Sequence, residues 1–377
     1  MRYMTRQGER ARWLLQWASW CLLFIATLEI LSRIDDRVRW AAPLGGTYSH
    51  ARLVTRDSVT LRGRADYRYQ KWAMNDLGFR GKAIAPQAAR DVTRIVVLGA
   101  SESFGLFETE GGEYPAVMQQ LFDSIAPGRF EVVNVALPGL SLAAMVPYVE
   151  HVVAPLEPDI VVMYPSPSFF LEVSPPAEDF KLPPLAASAN APTQSLARRT
   201  IGTFRVLEKT KVVVKRILPT RIQLEMREWR LARARQDHEQ DWVWRSVPAD
   251  RMEIFERHLA RVVDGVERTG ARTLLVTHMN RFLHREGPLS EADRQHLLAL
   301  TSSYFPRATE DVAVGVDSVA NAIVRRIASA RGAVVADAEA RLAPDSVNFA
   351  DYSHFTDEGA RAMARLIVEA ILSHEAR

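Results

Sequence analysis

The sequence predicts an α/β protein built on a five-stranded parallel sheet with helices on both faces. Five short runs are apolar without polar alternation, as in strands buried on both faces, at residues 94–99, 130–136, 159–164, 271–278 and 333–338. Segments of helical periodicity separate these runs, an alternation typical of parallel sheets. The 377 residues, 47% hydrophobic and 25% charged, fit one large globular domain with an insertion, or two domains.

Helices are predicted between these strands and after the last strand. Pro147 interrupts the second predicted helix, Gly270 suits the C-cap of the third, and Thr356 suits the N-cap of the last. We predict helices at residues 114–125, 141–153, 250–270, 290–305, 316–332 and 357–372.

The alternation stops at about residues 172–248, which we interpret as a basic helical insertion. A proline-rich stretch opens it, and residues 198–235 then carry twelve lysines and arginines against three glutamates. The insertion follows the third strand, so we expect it near the carboxyl edge of the sheet. Two interpretations stay open: an arm that contacts anionic glycan or lipid headgroups, or a solvated helical hairpin whose arginines cover apolar surface.

The N-terminal region predicts a membrane anchor. Residues 13–31 approach the roughly 20 apolar residues that span a bilayer. Four arginines precede this segment, which places the N-terminus in the cytoplasm, although three more arginines follow it. A cleaved signal peptide is the alternative, but no A-x-A site follows promptly. We therefore predict a tail and anchor at residues 1–32, a linker and lead-in segment at 33–90, and the main domain at 91–377, outside the cytoplasm.

Composition and motifs argue against several classes of partner. The net charge of +3 gives no support for binding nucleic acid, and the single cysteine, Cys21, argues against a disulfide scaffold or a cysteine-ligated metal. The sequence contains no H-E-x-x-H, P-loop or G-x-G-x-x-G motif, so we predict no metal, nucleotide or dinucleotide cofactor.

Side chains suited to acyl chemistry follow several strands, where ligands bind in parallel sheets. Ser101 follows the first strand, Gly139 the second, and Asp351 and His354 precede the last helix. A nucleophilic hydroxyl needs a base and a carboxylate that orients the base, and Asp351 and His354 are spaced to face the same way. The backbone N–H groups of Ser101 and Gly139 are candidate donors to an oxyanion. Ser103 is the competing nucleophile, although helix capping suits it better.

These stretches resemble the SGNH (GDSL-type) hydrolase family. "VVLGASESFG" resembles the first family block, "NVALPGLS" the second, and "DYSHFTDEGARAMA" the last. "MNDLGFRGKAI" resembles the lead-in of membrane-anchored bacterial members. The resemblance spans about residues 74–170 and 250–372. It implies a flavodoxin-like three-layer sandwich and metal-free acyl transfer with Ser101 as nucleophile, His354 as base, Asp351 as its orienting carboxylate, and Ser101 and Gly139 as oxyanion donors.

Two positions depart from the family pattern. Ala100 replaces the aspartate that usually precedes the serine. The third block, usually Gly-x-Asn-Asp, reads Pro165-Ser166-Pro167-Ser168, so the asparagine that completes the oxyanion hole is absent. Losing one such donor costs about 100- to 1000-fold in rate in other enzymes. Ser166, Ser168 and Asn280 are possible substitutes as oxyanion donors or substrate contacts.

The combined expectation is a serine esterase or acyltransferase in the bacterial inner membrane with a periplasmic or extracellular domain. Its expected partners are the bilayer and an acyl ester, such as an O-acetylated glycan. The glycan follows from location and family resemblance alone. The alternative is an SGNH-like protein that binds envelope polysaccharide without turnover, because Ala100 and the missing asparagine are compatible with lost catalysis.

Overall fold

The computed structural model describes residues 2–174, 179, 204–284 and 287–375. The strands are β1 (Val54–Arg56), β2 (Leu61–Gly63), β3 (Arg68–Tyr69), β4 (Trp72–Ala73), β5 (Thr93–Gly99), β6 (Phe130–Asn134), β7 (Ile160–Tyr164), β8 (Arg272–Val276) and β9 (Val334–Ala336). The α-helices are α1 (Arg2–Trp40), α2 (Ser101–Phe104), α3 (Tyr114–Ile125), α4 (Leu142–Tyr148), α5 (Arg205–Ile217), α6 (Thr220–Arg235), α7 (Ala249–Arg268), α8 (Glu291–Ser303), α9 (Glu310–Arg331), α10 (Ala338–Arg341) and α11 (Asp357–Glu375).

The chain divides into two compact units. The first comprises Met1–Arg52, Arg68–Lys71 and Ala186–Pro219, and the second comprises Leu53–Tyr67, Trp72–Leu185 and Thr220–Arg377. Helix α5 therefore belongs to the first unit and helix α6 to the second, so the predicted insertion is divided between them. Its proline-rich part lies largely outside the described residues.

Helix α1 dominates the first unit. Its segment Arg12–Trp40 is the stretch, among the residues described, that is long and apolar enough to cross a membrane. The mean hydropathy of its most apolar window is 1.7, and only 6% of that window is buried. These properties match the length and composition predicted from the sequence for a membrane span.

The second unit is organised around a five-stranded sheet with the order β6-β5-β7-β8-β9. Every neighbouring pair is parallel. In chain order this is 2-1-3-4-5, the flavodoxin-like arrangement, and it confirms the predicted fold class. The direction of winding reverses between β5 and β7, which is where such sheets bind ligands at the carboxyl ends of their strands.

Alternate residues of each strand supply two apolar layers, because successive side chains point to opposite faces of a sheet. Ile95 and Val97 of β5 belong to the core cluster that α3 and α11 cover. Val96 and Leu98, whose side chains point to the opposite face, are fully buried as well. Helices α3 and α11 pack together, and so do α4, α7 and α9. Strands buried on both faces explain why their sequences lack polar alternation.

The structure departs from the sequence prediction at a few element ends. Helix α9 starts at Glu310, before the predicted residue 316, because Thr309 accepts a hydrogen bond from Val312 N and caps the helix. Pro147 lies inside α4, and the chain continues as a π turn, Val149–Val153. The segment predicted as linker and lead-in also contains an antiparallel ladder between β1 and β2, which the strand pattern did not predict.

Candidate active site

Ser101 begins helix α2 directly after the end of strand β5. A Cβ at Gly99 would lie 2.1 Å from Ser103 Oγ, so this close packing of strand end and helix requires glycine. Gly105, with φ +85°, closes the turn, and its N–H donates to the Ser101 carbonyl over 3.1 Å. The sequence thus folds into a tight strand-to-helix turn that presents Ser101 at the carboxyl edge of the sheet.

Ser103, the competing nucleophile, points into the protein. It is fully buried, and its Oγ accepts a hydrogen bond from Tyr114 Oη over 2.8 Å. The Asn134 side chain donates to its carbonyl over 2.9 Å. Ser103 therefore ties α2 to α3 and β6, whereas Ser101 is partly exposed.

The lead-in motif, residues 74–84, contacts β6 and helix α2 beside this turn. Asn75 accepts hydrogen bonds from the N–H groups of Leu77 and Phe79, forming a side-chain-stabilised turn. Arg80 N then donates to the Asn134 carbonyl over 3.1 Å, extending the edge of the sheet beyond β6. The Arg80 guanidinium lies 5.3 Å from the centre of the Phe104 ring in α2.

The structure brings Ser101, His354 and Asp351 into one hydrogen-bonded row. His354 Nε2 lies 2.9 Å from Ser101 Oγ, and His354 Nδ1 lies 2.9 Å from each carboxylate oxygen of Asp351. Asp351 also accepts from the backbone N–H groups of Ser353 and His354, which fixes its orientation. Because a carboxylate only accepts hydrogen bonds, it holds the proton on Nδ1 and leaves Nε2 free to act as a base.

Burial and hydrogen-bonded pairing shift the pKa values of His354 and Asp351 in opposite directions. Burial disfavours the charged imidazolium, but the hydrogen bond and the charge of Asp351, together with the charges of Glu102 and Glu108, raise the pKa of His354 above its ordinary value. Burial likewise opposes ionisation of Asp351, but its bonds with His354 hold the pKa of that carboxyl below the usual range. The row is therefore arranged to stabilise a proton on His354.

Glu102 is the site residue that sequence reasoning missed. It is buried, and its carboxylate accepts hydrogen bonds from three serine hydroxyls. The O···O distances are 3.2 Å from Ser101, 3.1 Å from Ser353 and 3.3 Å from Ser166. The single proton of Ser101 Oγ thus has two possible acceptors, His354 and Glu102. The only sequence signal was a charged residue in the first turn after a buried strand.

A second histidine, His278, is paired with Asp317 and compensates the negative charge of Glu102. His278 Nε2 lies 3.7 Å from Glu102 Oε1, an ion-pair distance, and His278 Nδ1 lies 2.8 Å from Asp317 Oδ1. Burial opposes the charge on both partners, but Asp317 and Glu102 raise the pKa of His278 to about 9. The bond with His278 and the charges of both histidines lower the pKa of Glu102 to about 2. A buried triad of ions therefore lies directly behind Ser101.

The possible substitute donors have different surroundings. The Asn280 amide donates to the Val314 carbonyl and to Asp317, so both of its N–H groups are engaged within the buried network. Ser166 donates to Glu102, and its Oγ lies 3.0 Å from Ser168 Oγ. Gly139 follows β6 with φ +80°, a conformation that glycine adopts readily. Among the described residues, none accepts a hydrogen bond from the backbone N–H of Ser101 or Gly139.

The loop after α2 lines one side of the histidine. The Phe107 ring is half exposed, and its centre lies 5.3 Å from that of the His354 ring. Next to it, Glu108 is buried and accepts from Phe107 N over 2.9 Å. Burial raises the pKa of Glu108 to about 7. Phe107 therefore offers an exposed aromatic surface beside the row Ser101–His354–Asp351.

The described part of the chain holds no group of three or more His, Cys, Asp or Glu side chains able to bind a metal ion. The row and its surroundings provide hydroxyl, imidazole, carboxylate and backbone N–H groups. This set matches the requirements of nucleophilic acyl transfer, which needs an activated hydroxyl and donors for an oxyanion.

No protein-family model and no curated protein matches the chain. Among solved structures, it is similar to Axe2, an acetylxylan esterase from Geobacillus stearothermophilus (12% identity, TM-score 0.42, covering 75% of this chain and 96% of that one). It is also similar to LAE5, an α/β hydrolase enzyme from the metagenome of Lake Arreo, Spain (13%, 0.40, 74% and 94%). A third similar structure is the acetyl xylan esterase AlAXEase (12%, 0.40, 74% and 99%).

Proposed function

We propose that this chain is an SGNH-type serine esterase or acyltransferase, anchored in the bacterial inner membrane by α1. The observation that carries the proposal is the row Ser101–His354–Asp351, with 2.9 Å between Ser101 Oγ and His354 Nε2 and 2.9 Å between His354 Nδ1 and Asp351. An unactivated serine hydroxyl is a weak nucleophile, and this geometry supplies the base and the orienting carboxylate that it requires.

In the proposed mechanism, Ser101 Oγ attacks the carbonyl carbon of an acyl ester while His354 Nε2 takes its proton. The tetrahedral intermediate then expels the alcohol, which receives that proton from His354, and leaves an acyl group on Ser101. Water or a sugar hydroxyl, deprotonated by His354, attacks this acyl-enzyme, and His354 returns the proton to Ser101 Oγ as a carboxylic acid or a new ester leaves. Asp351 stabilises the imidazolium at each step.

The oxyanion of the intermediate accepts hydrogen bonds from the backbone N–H groups of Ser101 and Gly139 in this proposal. Both groups lack an acceptor among the described residues, which supports their availability. Ser166 and Ser168 stay candidates for substrate contacts. With Asn280 engaged by Asp317, the hole has fewer side-chain donors than the family pattern, so we expect slow turnover.

We propose an extracytoplasmic glycan ester, such as an O-acetyl group, as the substrate. The apolar segment of α1 supports a membrane location, and the arginines before it favour a cytoplasmic N-terminus. The half-exposed Phe107 ring beside His354 supports a sugar ligand, because aromatic faces pack well against apolar ring surfaces.

The test is ester hydrolysis by the full chain purified in detergent. We expect release of p-nitrophenol from p-nitrophenyl acetate, and loss of that release in the Ser101→Ala variant. Unchanged release in this variant would contradict the assignment. With an O-acetylated oligosaccharide as donor, free acetate as the product identifies a hydrolase, and a newly acetylated sugar identifies a transferase.

The second candidate function is binding of envelope polysaccharide without turnover. The third family block lacks its asparagine, and Ser166, a possible substitute donor, already donates to Glu102. Both observations favour this candidate, because an oxyanion hole with fewer donors slows turnover. This candidate predicts glycan binding that is unaffected by Ser101→Ala, together with no ester hydrolysis by the folded protein.

A further inference from the structure

Helix α5 lies against the C-terminal part of α1 within the first unit. Val206 N donates to Glu29 Oε2 over 3.0 Å, and Lys209 Nζ donates to the Ser32 carbonyl over 2.9 Å. Lys209 Nζ also lies 2.6 Å from Asp35 Oδ2 and 3.0 Å from Asp36 Oδ1. These contacts attach the first turns of α5 to residues 29–36 of α1.

The attachment lies where the apolar segment ends. The apolar run of α1 stops at residue 31, and a helix rises about 1.5 Å per residue, so Asp35 is about 6 Å beyond that end along the axis. If α1 crosses a bilayer, its contacts hold α5 at the level of the lipid headgroups on the side of the main domain.

Helix α5 has separate apolar and charged faces. At 100° per residue, Leu207, Val213, Val214 and Ile217 fall within about a third of the circumference. All four are exposed, with exposed fractions of 39%, 51%, 52% and 74%. The charged side chains Glu208 and Lys215 lie on the opposite side, and Lys211 lies at the border between the two faces. Val212 is an exposed apolar residue outside the apolar face.

We propose that the apolar face of α5, formed by Leu207, Val213, Val214 and Ile217, inserts into the outer surface of the membrane that α1 crosses, with Lys211 and Lys215 at anionic lipid headgroups. Two observations select the bilayer as the occupant. The face lies beside the end of an apolar helix segment that is itself almost wholly exposed. The helix also combines exposed aliphatic side chains with Lys211, Lys215 and Arg216, the composition of helices that lie in a membrane interface.

This inference deepens the proposed function and rests on its membrane anchor. It also chooses between the two interpretations of the basic insertion, at least for residues 205–217, in favour of lipid contact. A second membrane contact would restrict rotation of the first unit about the α1 axis, because two attachment points fix an orientation that one helix leaves free.

Fluorescence quenching by lipid tests the inference on the full chain. Cys21 is the only cysteine, so a bimane label on the natural chain reports on α1. A Cys21→Ser, Val214→Cys variant places the label on the apolar face, and a Cys21→Ser, Lys215→Cys variant is the matched control on the charged face. Each protein is reconstituted in vesicles of equimolar phosphatidylcholine and phosphatidylglycerol, with and without bromine on the lipid acyl chains.

We expect brominated lipid to reduce the fluorescence of the labels at Cys21 and at the Val214→Cys position, and to affect the Lys215→Cys label much less. Quenching at Cys21 with none at the Val214→Cys position would overturn the role of α5 and leave the anchor intact. Equal quenching at both α5 positions would overturn the proposed orientation of its faces. No quenching at Cys21 would overturn the anchor, and the inference with it.

Discussion

His354 Nε2 lies 2.9 Å from Ser101 Oγ although 253 residues separate the two in the chain. Strand β5 positions the serine, and the loop before α11 positions the histidine. The two elements meet because the carboxyl ends of parallel strands share one edge of the sheet.

The pH dependence of activity should follow the protonation of His354. Its pKa is raised above the ordinary 6.5, and only the neutral form can accept the Ser101 proton. We therefore expect kcat/KM for p-nitrophenyl acetate to rise with pH along an acid limb centred above pH 6.5. A limb centred below pH 6.5 would contradict the raised pKa.

The Glu102→Gln variant should move this limb. The negative charge of Glu102 contributes to the raised pKa of His354, so its removal should shift the limb to lower pH. Loss of a hydrogen bond to a charged group should also lower kcat about 10- to 100-fold. Near-UV circular dichroism checks the fold of the variant. An unchanged limb in a folded variant would show that Glu102 has only a structural role.

The buried ions behind Ser101 should make stability depend on pH. The folded-state pKa of His278, about 9, exceeds its ordinary 6.5, so its contribution is complete below pH 6.5 and disappears as pH rises through 9. We expect Asp317→Asn to lower the free energy of unfolding by about 3 kcal/mol at pH 6. It should also flatten the dependence between pH 6.5 and 9, as urea unfolding at several pH values would measure. The same slope in both proteins would argue against this ion pair.

The Phe107→Ala variant should weaken substrate binding without affecting the chemical step. Its ring is half exposed beside His354, and its apolar side chain makes no hydrogen bond to Ser101, His354 or Asp351. Losing one aromatic contact should raise KM for an O-acetylated oligosaccharide about three- to tenfold, with kcat nearly constant. An unchanged KM would exclude Phe107 from the substrate site.

The sequence predicted the sheet and part of the site because both depend on local patterns. Strands buried on both faces, such as β5, require uninterrupted apolar residues. Asp351 and His354, three residues apart, need only one turn to form their hydrogen bond. Because the carboxyl ends of parallel strands share one edge of the sheet, the sequence also predicted Ser101 at the same edge. The structure places it within hydrogen-bond distance of His354.

The charges behind Ser101 were not predictable in the same way. The burial of Glu102 depends on His278 and Asp317, which come from the loop after β8 and from α9, far away in the chain. His278 follows the end of a strand, and nothing in the local sequence indicates that it holds an ion pair. Such side-chain networks depend on tertiary packing, which periodicity does not describe.

Covalent labelling with a fluorophosphonate probe tests the central claim most directly. The account predicts one adduct, located on Ser101 by peptide mass spectrometry, that persists in the Ser103→Ala control and is lost in the Ser101→Ala and His354→Ala variants. No adduct on the folded natural chain, or an adduct that persists in Ser101→Ala, would contradict the role of Ser101 as the nucleophile.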